Sequence, residues 1–161
     1  MIIPAQTLRK IKPVEPFCER TVFNGKSYGL SSAGYDIRVG ASDQGNASHE
    51  NMSPSFILTP GQFCLAASLE RFVMPKDVLG QVADKSSWAR QGLSVFNTII
   101  EPGWEGYLTL ELKNSSNKPL VILEREPIAQ IIFHRLEAVT EQPYTGKYQN
   151  QGPAPQEALS E

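Results

Sequence analysis

Apolar residues in this chain fall in short alternating runs, interrupted every few positions by glycine, proline and small polar residues. The clearest run is Gly106–Asn114. There Leu108, Leu110 and Leu112 face one way and Tyr107, Thr109 and Glu111 the other, the period-2 pattern of a strand buried on one side. Shorter runs predict strands at Tyr35–Val39, Val78–Ala83, Leu93–Ile100, Leu120–Leu123 and Ile128–Phe133. Two more, Phe56–Leu58 and Phe63–Ser68, flank a Thr-Pro-Gly-Gln turn and read as strands around it. No long stretch follows the 3.6 period of a helix. One short helix is expected from Thr7 to Lys12, stopped by Pro13 and Pro16. A single helical turn is expected in SSWARQG, with Ser86 or Ser87 as its cap and Gly92 as its end. Roughly ten short strands with little helix predict an all-β fold, a distorted jelly roll or β-barrel.

Two segments depart from this rhythm. Residues 41–55 are rich in Ser, Asn, Gly and Asp, the composition of an exposed loop or long hairpin. From about residue 142 to 161 there is little to bury beyond Tyr144 and Tyr148. Such a tail reads either as a frayed end or as an arm that orders over a ligand. With 161 residues the chain fits a single domain, 1–161, the arm included.

Charge narrows the partners. The net charge of −2, with no Lys/Arg block, argues against a nucleic-acid or membrane surface. No apolar run approaches the ~18 residues of a membrane span. The opening MIIPAQTLRK has no apolar core of a signal peptide, so a cytoplasmic location is expected. Cys18 and Cys64 are far apart and read as reduced, mostly buried thiols. His49 and His134 are equally isolated, so the three or four clustered ligands of a zinc site are missing.

Candidate chemistry gathers between Asp84 and Glu111. Lys85, Ser86, Ser87 and Arg90 form a basic, hydroxyl-rich turn able to donate to an anion. An apolar and amide stretch leads to a Glu101-Pro102-Gly103 corner, and the alternating strand then presents the Glu111 carboxylate. Periodicity alone leaves Glu111 as a solvated residue on a polar face, and Arg90 as a surface ion-pair partner. Trp88, Trp104 and Tyr107 read as packing residues.

Four segments together resemble the trimeric dUTPase and dCTP deaminase superfamily. SSAGYDIRV is similar to its first motif, DKSSWARQGL to its second, NTIIEPGWEGYLTLELKN to its third, and PIAQIIF to the apolar strand that follows. They stand in the family's order and cover most of Gly29 to Phe133. The branch is indicated by two further features. The tail PYTGKYQNQGPAPQ resembles that of dCTP deaminases rather than a glycine-rich dUTPase tail, and Glu111 matches a glutamate that most dUTPases lack.

The resemblance implies hydrolytic deamination of dCTP to dUTP and ammonia, feeding thymidylate synthesis, by a homotrimer of dUTPase-like domains with shared sites. It implies Glu111 as general base, with Ser86 and Arg90 orienting water and carboxylate. Lys85 and Ser87 would meet the phosphates, and Gln130, Tyr144, Lys147 and Gln151 match positions that approach the nucleotide. Asn97 and Thr98 are pocket candidates by position, since backbone between Val95 and Ile100 would read the pyrimidine. Magnesium would arrive on the phosphates. Asp36 then stands near that hydrated ion or simply braces the fold. No zinc is implied, because the H-x-E…P-C-x-x-C signature of zinc deaminases is missing.

Glu101 is a departure, since the third motif usually has Asp there. A side chain one methylene longer displaces a water or sugar contact by about 1 Å, which weakens the dUTPase reading more than the deaminase one. A dUTPase, a bifunctional deaminase-dUTPase and a non-catalytic nucleotide-binding relative remain as alternatives.

Overall fold

The computed structural model describes residues 1–44 and 55–160. His49 and most of the expected polar loop lie outside them. In chain order the elements are α1 (Ala5–Ile11), β1 (Val14–Glu15), β2 (Thr21–Phe23), β3 (Lys26–Ser31), β4 (Gly34–Ser42), β5 (Ser55–Leu58), β6 (Phe63–Val73) and β7 (Val78–Asp84). Then follow α2 (Ser86–Ala89), β8 (Leu93–Val95), β9 (Ile99–Ile100), β10 (Glu105–Asn114), β11 (Leu120–Leu123) and β12 (Pro127–Arg135).

The main sheet runs β8-β10-β6-β4-β12-β7-β9, with β1 added to β6, β3 to β4 and β2 to β3. Its curl comes from β4. Residues 34–38 of β4 pair with β3 and β12, but Val39 and Ser42 pair with β6 across an irregular step. A strand that changes partners midway bends one layer over the other, so Ile37, Leu110, Phe72 and Phe133 are all buried in one core.

Several local expectations give way to tertiary pairing. The turn Thr59–Gln62 does not close a hairpin, because β5 pairs with β11 and β6 with β10. Matching alternation explains the choice of partner: Phe56 and Leu58 are buried with Leu120 and Ile122, while Ile57 and Val121 face outward. Asn114 fastens the arrangement, donating through Nδ2 to the carbonyls of Leu58 at 2.9 Å and Lys118 at 2.7 Å. The first helix starts two residues earlier than expected, and Lys12 ends it in a left-handed conformation with its N–H on the Leu8 carbonyl. In α2 neither serine is the cap. Lys85 holds the cap position without a side-chain bond, and Ser86 is the first helical residue. The expected strand Leu93–Ile100 is two short ones, separated by the exposed Phe96–Thr98.

Charged side chains fill the inner end of β4. Arg38 donates from its backbone N–H and its Nε to the fully buried Glu70, at 2.9 and 2.7 Å. Nearby, Lys85 meets Asp36 at 2.6 Å and Lys26 meets Glu126 at 2.7 Å. Burying these charges is tolerable because each is paired. No helix among the described residues is long and apolar enough to cross a membrane.

Candidate active site

Strand β10 has one face in the core and the other on a cavity of about 540 Å³. Thr109 and Glu111 project into that cavity, beside Phe63 and Leu65 of the neighbouring β6. Thr98 to Glu101 and Trp104 form a second wall. The C-terminal arm supplies the third, with Tyr144, Tyr148, Gln151, Gln156 and Glu157.

Glu111 is the unusual group in this space. It stands directly across from Leu65, and Phe63 is diagonal to it. Its Oε2 is buried and makes no hydrogen bond. Burial pushes its carboxyl above the ordinary glutamate value of 4.5, and its own backbone N–H offsets part of that rise. A carboxylate left without a partner in a half-enclosed, largely apolar space is costly, and functional sites are where such groups persist. Glu101 lines the same cavity but is exposed.

The tail is no frayed end. The Trp104 Nε1–H donates to the Tyr148 carbonyl at 2.7 Å, and the Glu105 N–H donates to Gln149 Oε1 at 2.9 Å. The Tyr144 N–H reaches the Pro102 carbonyl at 2.9 Å, and the Tyr107 N–H reaches the Gln151 carbonyl at 3.0 Å. These bonds cover the edge of β10 that β8 leaves open, since β8 pairs only with Leu112–Asn114.

The expected site residues divide into two sets. Glu111, Thr98, Glu101, Tyr144 and Gln151 line the cavity. Ser86, the first residue of α2, and Arg90, its C-terminal cap, are exposed and do not line it. Ser87 also lies outside, with a buried and unpartnered hydroxyl. The Lys85 ammonium is occupied by Asp36, which also accepts from the Ser27 hydroxyl at 3.3 Å. Asn97 is exposed beside the cavity wall, and Gln130 of β12 donates to the Ser31 hydroxyl of β3 at 3.4 Å. Lys147 is exposed, with its ammonium on the Leu159 carbonyl. Among the cavity residues that sequence reasoning did not single out are Thr109, Phe63, Leu65, Gln156, Glu157 and Ala158. Only Thr109 had a signal, its shared face with Glu111.

Among the described residues no three His, Cys, Asp or Glu side chains gather as an ion site. With Asp36 held by Lys85, the donor set does not fit a resident magnesium cage. Both cysteines are free. Burial lifts the Cys64 thiol to about 12, and His134 sits half-buried on β12.

Residues 41–136 match the family model described as dCTP deaminase-like. The chain belongs to the dCTP deaminase-like family. Among curated family members, the dCTP deaminase of Helicobacter pylori J99 is 42% identical over 160 residues, covering 86% of this chain and 85% of the relative. The dCTP deaminase of Pyrococcus abyssi is 37% identical over 151 residues, covering 92% and 93%. Among solved structures, the dCTP deaminase of Agrobacterium tumefaciens superposes with a TM-score of 0.64 at 17% identity, covering 83% of this chain and 48% of that one. That likeness shows the family's curled β fold.

Proposed function

We propose that the chain deaminates dCTP to dUTP and ammonia, with Glu111 moving the protons. The observation that carries this reading is the Glu111 carboxylate, enclosed in the cavity with a buried oxygen free of any partner. The family's curated members of comparable length, named dCTP deaminase, support the same substrate.

In the proposed reaction a water lies between Glu111 and C4 of the pyrimidine. Ionised Glu111 takes a proton from it as the new O–C4 bond forms. The carboxyl passes that proton to N3, giving a tetrahedral C4. The new hydroxyl then gives up its proton through the carboxyl to the amine, the C4–N bond breaks, and ammonia leaves behind a C4 carbonyl and an N3–H. Burial suits Glu111 to both halves, because a carboxyl raised toward working pH accepts a proton readily and can hold it between steps.

One copy of the chain does not complete this site. Ser86, Ser87 and Arg90 are proposed to reach the cavity of a neighbouring copy, in a homotrimer with shared sites. Their position outside their own cavity supports that arrangement. Ser86 and Arg90 would orient water and carboxylate, and Ser87 would meet the phosphates only by turning its buried hydroxyl outward. Lys85 joins the phosphate set only by exchanging Asp36 for it. Backbone near Asn97 and Thr98 would read the base, Glu101 the sugar, and Tyr144, Lys147, Gln151 and Gln130 the rest of the nucleotide. Magnesium, entering on the nucleotide, would neutralise phosphate charge. The chain would act as one domain with residues from about 142 as its lid.

The test is incubation with dCTP, dUTP and dCMP followed by chromatography. dUTP and ammonia from dCTP are expected. Formation of dUMP and pyrophosphate from dUTP alone would overturn the reading.

A further inference from the structure

The segment Gly103–Thr109 supports the arm along its whole length. A Cβ on Gly103 would sit 2.8 Å from the Pro143 Cβ, and one on Gly106 would sit 2.7 Å from the Gln151 backbone nitrogen. Gly106 has a φ of +145, a conformation that side chains resist, and Gln151 pairs with it in a parallel bridge. The two glycines of the Glu-Pro-Gly-Trp-Glu-Gly run thus mark a seat for the arm.

The seat ends at Thr109. Gln151 Nε2 donates to its hydroxyl oxygen, and the Gln156 backbone N–H donates to the same oxygen at 3.0 Å. One side chain therefore ties two separate points of the arm to β10. Residues beyond the second tie, Glu157 and Ala158, line the cavity that contains Glu111. Thr109 and Glu111 share one strand face, so what Thr109 holds lies against the same cavity as the carboxylate.

We infer that Thr109 is a positioning residue, whose hydroxyl latches the arm over the cavity and so encloses Glu111 for the reaction. The inference rests on the proposed deamination for its kinetic consequence, but the latch is a property of the arm alone. A β-branched residue is well suited to the strand position, and a valine there keeps the shape while removing the acceptor.

Thr109→Val and Thr109→Ser in the full chain test this by amide hydrogen exchange and by steady-state kinetics. In Thr109→Val the Gln156 amide should exchange at least about tenfold faster, the scale of losing hydrogen bonds of ordinary net strength. With dCTP, kcat/KM should fall by on the order of 10-fold, mainly through KM, and Thr109→Ser should restore both readouts. Gln156→Pro, which removes the backbone donor of one tie and leaves the Gln151 tie in place, should lower kcat/KM in the same direction as Thr109→Val and by a smaller factor. Unchanged exchange at Gln156 with unchanged kinetics in Thr109→Val would overturn the latch. Faster Gln156 exchange in Thr109→Val, together with a wild-type chain that never releases ammonia from dCTP, would sustain the latch and defeat the deaminase reading.

Discussion

Thr109 and Glu111 stand two residues apart on one strand face and meet opposite fates. The Thr109 hydroxyl accepts two hydrogen bonds from the C-terminal arm, while the Glu111 Oε2 is buried without any. The arm secures one and leaves the other open to a ligand. That contrast fits a cavity built to enclose a reactive carboxylate rather than to neutralise it.

Replacing Glu111 by Gln should remove deamination and spare binding. General acid–base groups contribute roughly 10²–10⁴ in rate, so ammonia release should drop by at least that factor. Calorimetric titration with dCTP should still give a Kd within a few-fold of wild type. Normal turnover in this variant would refute the assigned role.

The raised Glu111 carboxyl makes two predictions with pH. As a base it must be ionised, so the acid limb of kcat against pH should lie above the ordinary glutamate value of 4.5. For stability, a carboxyl raised by folding contributes fully below its unfolded value, and that contribution is lost as pH rises through the folded value. Glu111→Gln should therefore gain on wild type in denaturant midpoint as pH increases, with no gain at acid pH. A constant difference across pH would count against the enclosed carboxylate.

Shared sites are tested by mixing subunits. Arg90→Ala and Glu111→Gln should each be inactive alone. If a site takes Glu111 from one copy and Arg90 from the next, random co-assembly of equal amounts restores about a quarter of the sites. No recovery after verified co-assembly would overturn the shared site, because Glu111 and Arg90 would then have to come from one copy.

Glu70 anchors the inner end of β4 through Arg38. Removing it as Glu70→Ala leaves a guanidinium buried without its carboxylate, a loss of about 3–5 kcal/mol. Denaturant unfolding at fixed protein concentration measures this. The same variant with Arg38→Met should recover part of the stability, because the unpaired charge is gone.

Chelation offers a separate check on metal use. Treatment with a zinc-selective chelator should leave ammonia release intact once magnesium is restored, as the missing zinc-ligand motif leads one to expect. Loss of activity that only zinc rescues would contradict it.

Local order along the chain was enough to reveal strands and family. The alternation from Tyr107 to Leu112 fixes which side of β10 is core, since a strand cannot turn one residue over without turning them all. The motif order around Ser86, Glu101 and Glu111 likewise pointed to the dCTP deaminase-like family, because motif order is legible along the chain without the fold. Pairing was another matter. Thr59–Gln62 has the composition of a hairpin turn, yet β5 leaves for β11, a choice made by matching buried faces far apart in sequence. The tail has almost nothing apolar to announce its position, and its order comes from backbone and amide hydrogen bonds to Gly103–Thr109. Those bonds exist only once β10 lies in the sheet with an uncovered edge. The sequence alone therefore determined the strand pattern and the carboxylate at position 111, and tertiary structure decided what encloses it.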